Sequence, residues 1–319
     1  MHHNYPFSYI NDYVRPRSSR RMTTDVLVTG ALGGVGRWVT DAARERGAVV
    51  AVDRTLPEST DSEGVRFQAA DLRDQGSVLE TVLDADPSVV VHLGNIPHEE
   101  HHAGGDVYEN NAVSTYHVLD AAGRAGADVV WASSETVYGT HWPKPTLPAS
   151  LPVGEGHPVA PWNGYETSKL AGEAAAERVA NAFDVSVVTM RPSWVQYPGA
   201  YETEPIREGF TFEGAGRFGN LWSYVDVRDV VSFVEAALTA DVDGHEVFNV
   251  FAPDNFLGVE TTRAIRAGYG SLPEDCEIRG EESAFSTAKA ESVLGWEPEH
   301  SWRTAADEAV DGPAIAQPR

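Results

Sequence analysis

The chain has 319 residues and a formal net charge of −24, with its acidic residues spread along the whole length. This length fits one large α/β domain or two small ones. The negative field excludes nucleic acid and an anionic membrane surface as partners, and no apolar stretch is long enough to span a bilayer. A folded protein so acidic, with only three lysines, keeps its surface hydrated in strong salt, so we interpret it as halophilic.

The chain has one cysteine, Cys276, which rules out intrachain disulfides and indicates a reducing cytoplasm. The N-terminal segment contains Arg20-Arg21, the pair found in twin-arginine export signals. We reject export because the apolar segment that follows is broken by glycines, as in a strand and a turn. We predict instead that residues 1–22 form a disordered N-terminal extension, upstream of a second start at Met22.

From residue 25 onward, short apolar strands alternate with longer helical stretches. This alternation is typical of a parallel sheet covered by helices on both faces. The predicted strands cover 25–29, 48–53, 65–70, 88–93, 128–133 and 185–190, and the predicted helices cover 34–46, 77–83, 106–125 and 165–183. After residue 192 the pattern weakens, leaving a helix near 230–238 and a strand at 246–250. The sequence therefore predicts an α/β fold, a Rossmann-type doubly wound parallel sheet with a small C-terminal lobe.

A glycine-rich turn follows the first predicted strand and opens the first helix, with glycines at 30, 33 and 36. Glycines at such a turn let the backbone approach a pyrophosphate, which binds at the helix N-terminus. The spacing is Gly-x-x-Gly-x-x-Gly rather than the commoner Gly-x-Gly-x-x-Gly. A purely structural turn is the alternative.

Acidic residues end the second and third predicted strands. Asp53 is placed to accept hydrogen bonds from the adenosine ribose hydroxyls, which favours NAD. Arg54 or Arg37 could instead hold the 2′-phosphate of NADP. Asp71-Leu72 is placed to meet adenine, and a solvated strand end is equally compatible with these two residues.

Tyr165 and Lys169 lie one helical turn apart in a chain that has almost no lysine. Residues at i and i+4 share a helix face, so the ammonium is expected near the phenol and should lower its pKa from about 10. Such a tyrosine can act as a general base. An incidental surface pair is the alternative for these two residues alone. Ser133-Ser134 ends the preceding strand, where a hydroxyl can bind a substrate oxygen or satisfy the backbone.

One motif resembles the zinc-protease signature, His98-Glu-Glu-His101-His102. That chemistry needs both histidines on one helix face and a third ligand downstream. Here the motif follows Pro97 in a loop over the predicted cofactor site, so we predict no metal. The loop either lines a substrate pocket or is simply solvated.

The chain resembles the extended short-chain dehydrogenases/reductases of the NAD-dependent epimerase/dehydratase superfamily. The chain departs from the family at Ser114-Thr115, usually Gly-Thr, and at Tyr197-Pro198, usually Gly-Pro. The matching motifs, in the family's order, are Thr29-Gly-x-x-Gly-x-x-Gly36, Asp53, Asp71-Leu72, His92-Leu-Gly-Asn95, Asn111-Ala-Val-Ser-Thr115, Ser133-Ser-Glu-Thr-Val-Tyr-Gly139, Tyr165-Glu-Thr-Ser-Lys169, Arg191-Pro192, Tyr224-Val-Asp-Val-Arg-Asp229, Phe248-Asn-Val250 and Leu294-Gly-Trp-Glu-Pro298.

The resemblance implies that Ser134, Tyr165 and Lys169 are the catalytic residues, with Lys169 also binding the nicotinamide ribose. It implies NAD or NADP as cofactor, an NAD(P)-binding Rossmann domain at 23–192, and a mainly substrate-binding lobe at 193–319 with segments returning to the core. The implied cofactor contacts are Gly30, Gly33, Gly34, Val35, Gly36, Asp53, Arg54, Asp71, Leu72, Leu93, Gly94, Asn111, Tyr165, Lys169, Pro192 and Ser193.

Several chemistries occur in this superfamily. Nucleotide-sugar epimerases and dehydratases usually clamp a diphosphate with basic side chains, whereas aldose dehydrogenases oxidise the anomeric carbon of a free sugar. Basic residues are few after Tyr197, and the acidic field suits a neutral sugar. We therefore predict that the chain oxidises a free aldose, such as L-arabinose or D-galactose, to a lactone, with Asn95, Glu135 and Asn163 contacting sugar hydroxyls beside Ser134.

Two further expectations concern the class and the assembly of the protein. A non-catalytic dinucleotide sensor on this fold would have a damaged Ser/Tyr/Lys set, and here the set is intact. The superfamily often pairs through a four-helix interface, built here from the helices at 106–125 and 165–183. By this analogy we expect a homodimer or a higher homo-oligomer.

Overall fold

The computed structural model describes residues 26–140 and 145–316. The predictions for residues 1–22 and for Met22 lie outside this part of the chain. The strands are β1 Val26–Thr29, β2 Val49–Asp53, β3 Val65–Ala69, β4 Val89–His92, β5 Asp128–Ala132, β6 Ser150–Leu151, β7 Val187–Pro192, β8 Val195–Gln196, β9 Val225–Asp226, β10 His245–Val250 and β11 Asp275–Cys276. The helices are α1 Gly34–Arg44, α2 Gln75–Ala85, α3 Gly104–Ala125, α4 Gly164–Phe183, α5 Glu204–Gly209, α6 Val227–Thr239, α7 Thr261–Tyr269, α8 Ala288–Leu294 and α9 Trp302–Ala305.

Seven of these strands form one parallel sheet in the order β3-β2-β1-β4-β5-β7-β10. Valine-rich strands of this kind are buried on both faces. In β1, Val26 and Val28 belong to one apolar core, while Leu27 between them belongs to the core on the opposite face. Helices α1 and α6 cover the first face, and α2, α3 and α4 cover the second. The predicted Rossmann-type fold is confirmed.

Local side-chain contacts set the element boundaries that the sequence pattern misplaced. Helix α2 begins at Gln75, two residues before the predicted start, because the Asp74 carboxylate accepts from the Ser77 amide at 2.9 Å. Strand β7 begins at Val187 rather than 185, since α4 ends in a left-handed residue, Asp184.

The part of the chain after β7 contributes to two different regions. Helix α6 and strand β10 pack with the central sheet. Helix α8 also contacts β10, and its Ala290 belongs to the core of the central sheet. Other segments after β7 surround a third core rich in aromatic side chains, in which Phe251 and Phe285 stack with their ring centroids 4.3 Å apart. Cys276 is partly buried in β11 and is a free thiol. In the described ranges, every helix is too short or too polar to cross a membrane.

Candidate active site

Two adjoining cavities open at the carboxyl ends of the parallel strands, where ligands bind in folds of this type. The glycine-turn cavity measures about 460 Å³ and is bounded by the β1–α1 turn and the ends of β2 and β3. The tyrosine cavity measures about 750 Å³ and is bounded by the start of α4, the end of β7 and part of the C-terminal region. Leu93 and Asn95 line both cavities, so the two spaces share a wall.

The glycine turn is sterically closed to larger residues. Gly30 has a φ of +68°, and a Cβ built there would lie 2.6 Å from the Gly94 amide nitrogen. A Cβ on Gly36 would lie 1.9 Å from the Gly30 carbonyl oxygen. Gly33 is the N-cap of α1, where no side chain caps the helix and no acidic residue occupies the first turn. An exposed helix N-terminus with this close backbone approach fits a diphosphate.

The end of β2 presents a fixed carboxylate to the glycine-turn cavity. Asp53 accepts from the Leu32 amide at 3.0 Å and from the Arg54 amide at 2.7 Å. Of the two arginines considered for a 2′-phosphate, Arg54 lines this cavity. Arg37 instead donates through Nε to the Ile315 carbonyl at 2.7 Å. The arrangement fits an adenosine ribose, with Arg54 as the cation beside it.

Asp71-Leu72 lines the glycine-turn cavity at the end of β3. The Asp71 carboxylate pairs with Arg73 at 2.7 Å, and hydrogen bonds from Arg73 lower the pKa of Asp71 to about 2. The Leu72 carbonyl accepts from Nδ1 of His117 at 3.2 Å. The segment is therefore held firmly enough to form one wall of the cavity.

The predicted catalytic residues come together in the tyrosine cavity, whose lining includes Ser134, Tyr165 and Lys169. The Lys169 ammonium lies 5.5 Å from the centre of the Tyr165 ring and donates to the Ala132 carbonyl at 2.8 Å. The side chain of Lys169 is only 2% exposed. Tyr165 and Lys169 therefore share one face of α4, as their spacing predicted.

The electrostatics of this group differ from the sequence prediction. Burial raises the pKa of Tyr165 to about 12, a hydrogen bond with Ser134 opposes the rise, and the charge of Glu135 adds to it. Burial also lowers the pKa of Lys169 to about 7. The prediction that Lys169 lowers the pKa of Tyr165 is wrong for this structure, because both groups are desolvated and the ammonium is directed at a backbone carbonyl.

Two of the three predicted sugar contacts line the tyrosine cavity, Asn95 and Glu135. Asn95 donates to the Leu93 carbonyl at 2.9 Å, while its Oδ1 is buried and has no partner among the described residues. Asn163 is not among the lining residues. It is the N-cap of α4, where its side chain binds the amide and the carboxylate of Glu166 at 2.8 and 3.2 Å. Asn163 is thus occupied in helix capping.

Glu135 is a buried carboxyl beside the catalytic group, only 4% exposed. Ser193 donates to its Oε2 at 3.1 Å. Burial raises the pKa of Glu135 well above its ordinary value. A carboxyl with a raised pKa is protonated more readily, and in its protonated form it can donate a hydrogen bond to a ligand as well as accept one.

Residues 26–250 match the sequence profile of the NAD dependent epimerase/dehydratase family. The chain belongs to this family. It is 28% identical over 306 residues to a UDP-glucose 4-epimerase of Mycolicibacterium smegmatis, covering 86% of this chain and 93% of the relative. It is 32% identical over 179 residues to an L-arabinose 1-dehydrogenase (NAD(P)(+)) of Haloferax volcanii, covering 53% of this chain and 66% of the relative.

The fold of this family member is shared with solved structures. The crystal structure of the Bordetella bronchiseptica enzyme WbmG in complex with NAD and UDP superposes with a TM-score of 0.64, covering 88% of this chain and 91% of the other, at 20% identity. At this level of identity the likeness concerns the fold.

The predicted cofactor residues distribute over the two cavities. Three of them, Gly34, Gly36 and Asn111, line neither cavity. Those lining the glycine-turn cavity are Gly30, Gly33, Asp53, Arg54, Asp71, Leu72, Leu93 and Gly94. Those lining the tyrosine cavity are Val35, Leu93, Tyr165, Lys169, Pro192 and Ser193.

The side chain of Asn111 is bonded to the loop after β4. It is 1% exposed, and its side chain pairs with the backbone of Ile96, accepting from the amide at 2.8 Å and donating to the carbonyl at 2.9 Å. Both amide groups of the side chain are thereby used. Asn111 therefore positions the loop after β4, and its contact with the cofactor stays a prediction.

Ser133 belongs to a buried polar network behind the catalytic group. It donates to Glu173 at 2.7 Å, and Arg191 forms an ion pair with the same carboxylate at 2.7 Å. Arg191 also donates to the Tyr138 hydroxyl at 2.9 Å, which in turn donates to Asn249 at 2.7 Å. This network joins β5, α4, β7 and β10, so the roles of Ser133 and Ser134 are distinct.

Several residues of the site were missed by sequence reasoning. Glu202, Phe218 and Asn220 line the tyrosine cavity from the C-terminal region, and no motif surrounds them in the sequence. Tyr197 places its hydroxyl 2.3 Å from where a Cβ of Gly34 would lie, over the start of α1. The replacement of the family's glycine at Tyr197 was the available signal.

The His98–His102 loop does not assemble a metal site. Among residues 26–140 and 145–316, no three His, Cys, Asp or Glu side chains lie together in a way that could hold a metal ion. Glu99 instead accepts from the Tyr165 backbone amide at 3.0 Å. His98 and Glu100 line the tyrosine cavity.

Proposed function

We propose that the protein oxidises the anomeric carbon of a free, neutral aldose to a lactone, with NAD or NADP as the hydride acceptor. The observation that carries this proposal is the charge of the tyrosine cavity. Three carboxyl side chains line it, those of Glu100, Glu135 and Glu202. Within the described part of the chain, Lys169 is the only lysine or arginine among the lining residues, and its ammonium binds Ala132. A nucleotide diphosphate needs cationic partners, whereas sugar hydroxyls bind to neutral and acidic groups.

In this proposal each catalytic side chain has one task. The ionised Tyr165 takes the proton from the anomeric hydroxyl, and Ser134 holds the same oxygen through a hydrogen bond. The electron pair of the anomeric C–H bond leaves as hydride while the carbon–oxygen double bond forms. A bound oxidised nicotinamide supplies the hydride acceptor. Because burial keeps the pKa of Tyr165 high, the rate should rise with pH as the phenol ionises.

The dinucleotide in this proposal lies across the shared wall of the two cavities. The glycine turn would receive its diphosphate, Asp53 its adenosine ribose, and Tyr165 and Lys169 the nicotinamide side. The Asp53 carboxylate favours NAD, while Arg54 is the residue that would accept a 2′-phosphate. Asn95 Oδ1, which lacks a partner in residues 26–140 and 145–316, is available to either ligand.

The division into a dinucleotide-binding part at 23–192 and a mainly substrate-binding part at 193–319 is retained in this proposal. So are the halophilic character and the homodimer through α3 and α4. Tyr108 and Tyr116 on α3 are each 41% exposed, which gives that helix an apolar surface for a second copy.

The alternative function is a nucleotide-sugar epimerase or dehydratase. It is favoured by the relative named UDP-glucose 4-epimerase, which aligns over 86% of this chain, whereas the L-arabinose 1-dehydrogenase aligns over 53%. The same Ser134, Tyr165 and Lys169 would then act on a sugar carried by a nucleotide.

One assay separates the two functions. The purified protein is mixed with NAD⁺ or NADP⁺ in molar salt, and reduced nicotinamide is followed by absorbance with a panel of free aldoses. We expect reduction with a neutral aldose and none with uronates. Turnover of UDP-glucose or UDP-galactose without net reduction, and no signal with free sugars, would overturn the proposal in favour of the epimerase. Binding of dinucleotide with no turnover of any sugar would indicate a sensor.

A further inference from the structure

The loop that joins β4 to α3 is anchored at two separate points. Near its start, the buried side chain of Asn111 holds the amide and the carbonyl of Ile96 at 2.8 and 2.9 Å. Further along, the Glu99 carboxylate accepts from the Tyr165 backbone amide at 3.0 Å. The second anchor is made directly to the first turn of the helix that carries the proposed base.

Two glycines, at the starts of α3 and α4, lie close to the Glu99 carboxylate. A Cβ on Gly104 would lie 3.0 Å from each Glu99 carboxylate oxygen, and one on Gly164 would lie 2.9 Å from Oε1. The Gly164 position also lies against the Gly104 carbonyl oxygen, 2.1 Å from a Cβ built there. The carboxylate thus lies where the first turns of α3 and α4 meet, close to both glycines. A negative charge is favoured at such helix starts.

The neighbours of Glu99 in the loop are exposed, and two of them line the tyrosine cavity. Glu99 is partly buried, while His98, Glu100, His101 and His102 are exposed. His98 and Glu100 line the tyrosine cavity, and His98 Nδ1 lies 4.0 Å from a Glu100 carboxylate oxygen. An imidazole and a carboxylate side by side offer a donor and acceptors to adjacent hydroxyls of one sugar.

We propose that Glu99 is a positioning residue that fixes the 97–102 loop on the helix of Tyr165, so that His98 and Glu100 select among aldoses by the orientation of their hydroxyls. This inference rests on the proposed function, because it assigns the sugar selectivity of the same site. It also gives the His-Glu-Glu-His-His segment a use that needs no metal.

The test compares Glu99→Ala with Glu99→Gln, and Glu63→Ala serves as the control, since Glu63 is exposed and lines neither cavity. For each protein, kcat and KM are measured with D-glucose and D-galactose, which differ at one hydroxyl. We expect Glu99→Ala to reduce the ratio of the two kcat/KM values about 10-fold, mainly by raising KM for the preferred sugar. Glu99→Gln keeps an oxygen for the Tyr165 amide and should restore most of the ratio.

Two single variants in the loop complete the test. His98→Ala and Glu100→Gln should each lower the same ratio, while the Kd of NAD⁺, measured by protein fluorescence, stays within about twofold because their effect is confined to the sugar side. If Glu99→Ala slows both sugars equally or only lowers the melting temperature, Glu99 is a structural cap and the inference is wrong.

Hydrogen exchange tests the Glu99 anchor independently of whether the proposed function is correct. In Glu99→Ala, amides of the 97–102 loop and of Tyr165 should exchange about 10-fold faster than in the wild type, whatever the substrate. Unchanged exchange would overturn the anchor by itself. If the wild type acts only on UDP-sugars, the proposed function fails, and the anchor is then judged by hydrogen exchange alone.

Discussion

The two cavities of the site are built in different ways. The glycine-turn cavity is formed mainly by short segments at the ends of β1, β2, β3 and β4, with two residues from α3. The tyrosine cavity brings together side chains from β5, α4, β7 and the C-terminal region, which are far apart in the sequence. One cavity depends on steric fit, and the other depends on ionisable groups held away from water.

This difference has an energetic consequence. At the glycine turn, the absence of side chains allows the close approaches at Gly30 and Gly36. In the tyrosine cavity, burial shifts the pKa values of Tyr165, Lys169 and Glu135. Desolvating such groups costs free energy, so the surrounding fold must hold them in place. We therefore expect substitutions in the two cavities to have different effects on turnover, stability and dinucleotide binding.

The largest effect should follow removal of the proposed base. Tyr165→Phe keeps the ring and its packing but removes the hydroxyl, so turnover should fall about 10³-fold. The Kd of NAD⁺ should change little, because the glycine turn and Asp53, which receive the diphosphate and the adenosine ribose in the proposal, are unaltered. Steady-state rates and a fluorescence titration measure the two quantities. Thr239→Val, which removes an exposed hydroxyl of α6, is the control, and turnover of Tyr165→Phe within threefold of wild type would exclude the mechanism.

The buried network behind the catalytic group should dominate stability. Glu173 and Arg191 are 9% and 5% exposed as side chains. Glu173→Ala leaves the guanidinium buried without its partner, which should lower the free energy of unfolding by about 3–5 kcal/mol. Denaturant unfolding at constant molar salt measures this change.

The matched control for that change is Glu177→Ala, one turn further along α4. Glu177 is 62% exposed and pairs with His245 on the surface, so its loss should cost less than about 1 kcal/mol. The double variant Glu173→Leu/Arg191→Met should recover part of the stability. If Glu173→Ala and Glu177→Ala lower the free energy of unfolding equally, the buried network does not contribute more to stability than a surface pair, and the prediction is wrong.

The glycine-turn cavity can be tested by adding one methyl group. Gly36→Ala places a Cβ against the Gly30 carbonyl oxygen, which should cost about 1–3 kcal/mol and distort the proposed dinucleotide site. We expect NAD⁺ to bind at least about 10-fold more weakly, as measured by calorimetry. Gly105→Ala, at a helical glycine with no atom within 4 Å of its Cβ position, should bind normally. Normal binding by Gly36→Ala would contradict the assignment.

The smallest effect concerns the pH dependence of stability. Burial lowers the pKa of Lys169 from 10.5 to about 7. Between pH 7 and 10 the unfolded chain binds a proton that the folded protein lacks, so this group makes the free energy of unfolding rise with pH. Lys169→Met should remove a rise of about 1 kcal/mol between pH 7 and 8. Unfolding curves at several pH values measure it, and parallel profiles of the two proteins would show that Lys169 is charged in the folded state.

The comparison also explains which predictions were met. The Rossmann-type sheet follows from valine-rich strands and helical spacing, which act within short stretches of chain. The joint placement of Tyr165 and Lys169 follows from helical periodicity. The ligand contacts of Asn163 and Asn111 stay predictions, and the sequence did not reveal that both side chains also bind within the protein. The first caps α4 and the second binds Ile96.

The sequence by itself determined the fold class, the glycine turn and the helical face that carries the tyrosine and the lysine, since these depend on residue patterns within about one element. Only the tertiary structure decided how far burial shifts the pKa of Tyr165, which carboxyl groups line the second cavity, and that Glu99 contacts the helix of Tyr165. Those properties depend on desolvation and on contacts between distant segments, and neither is encoded in local spacing.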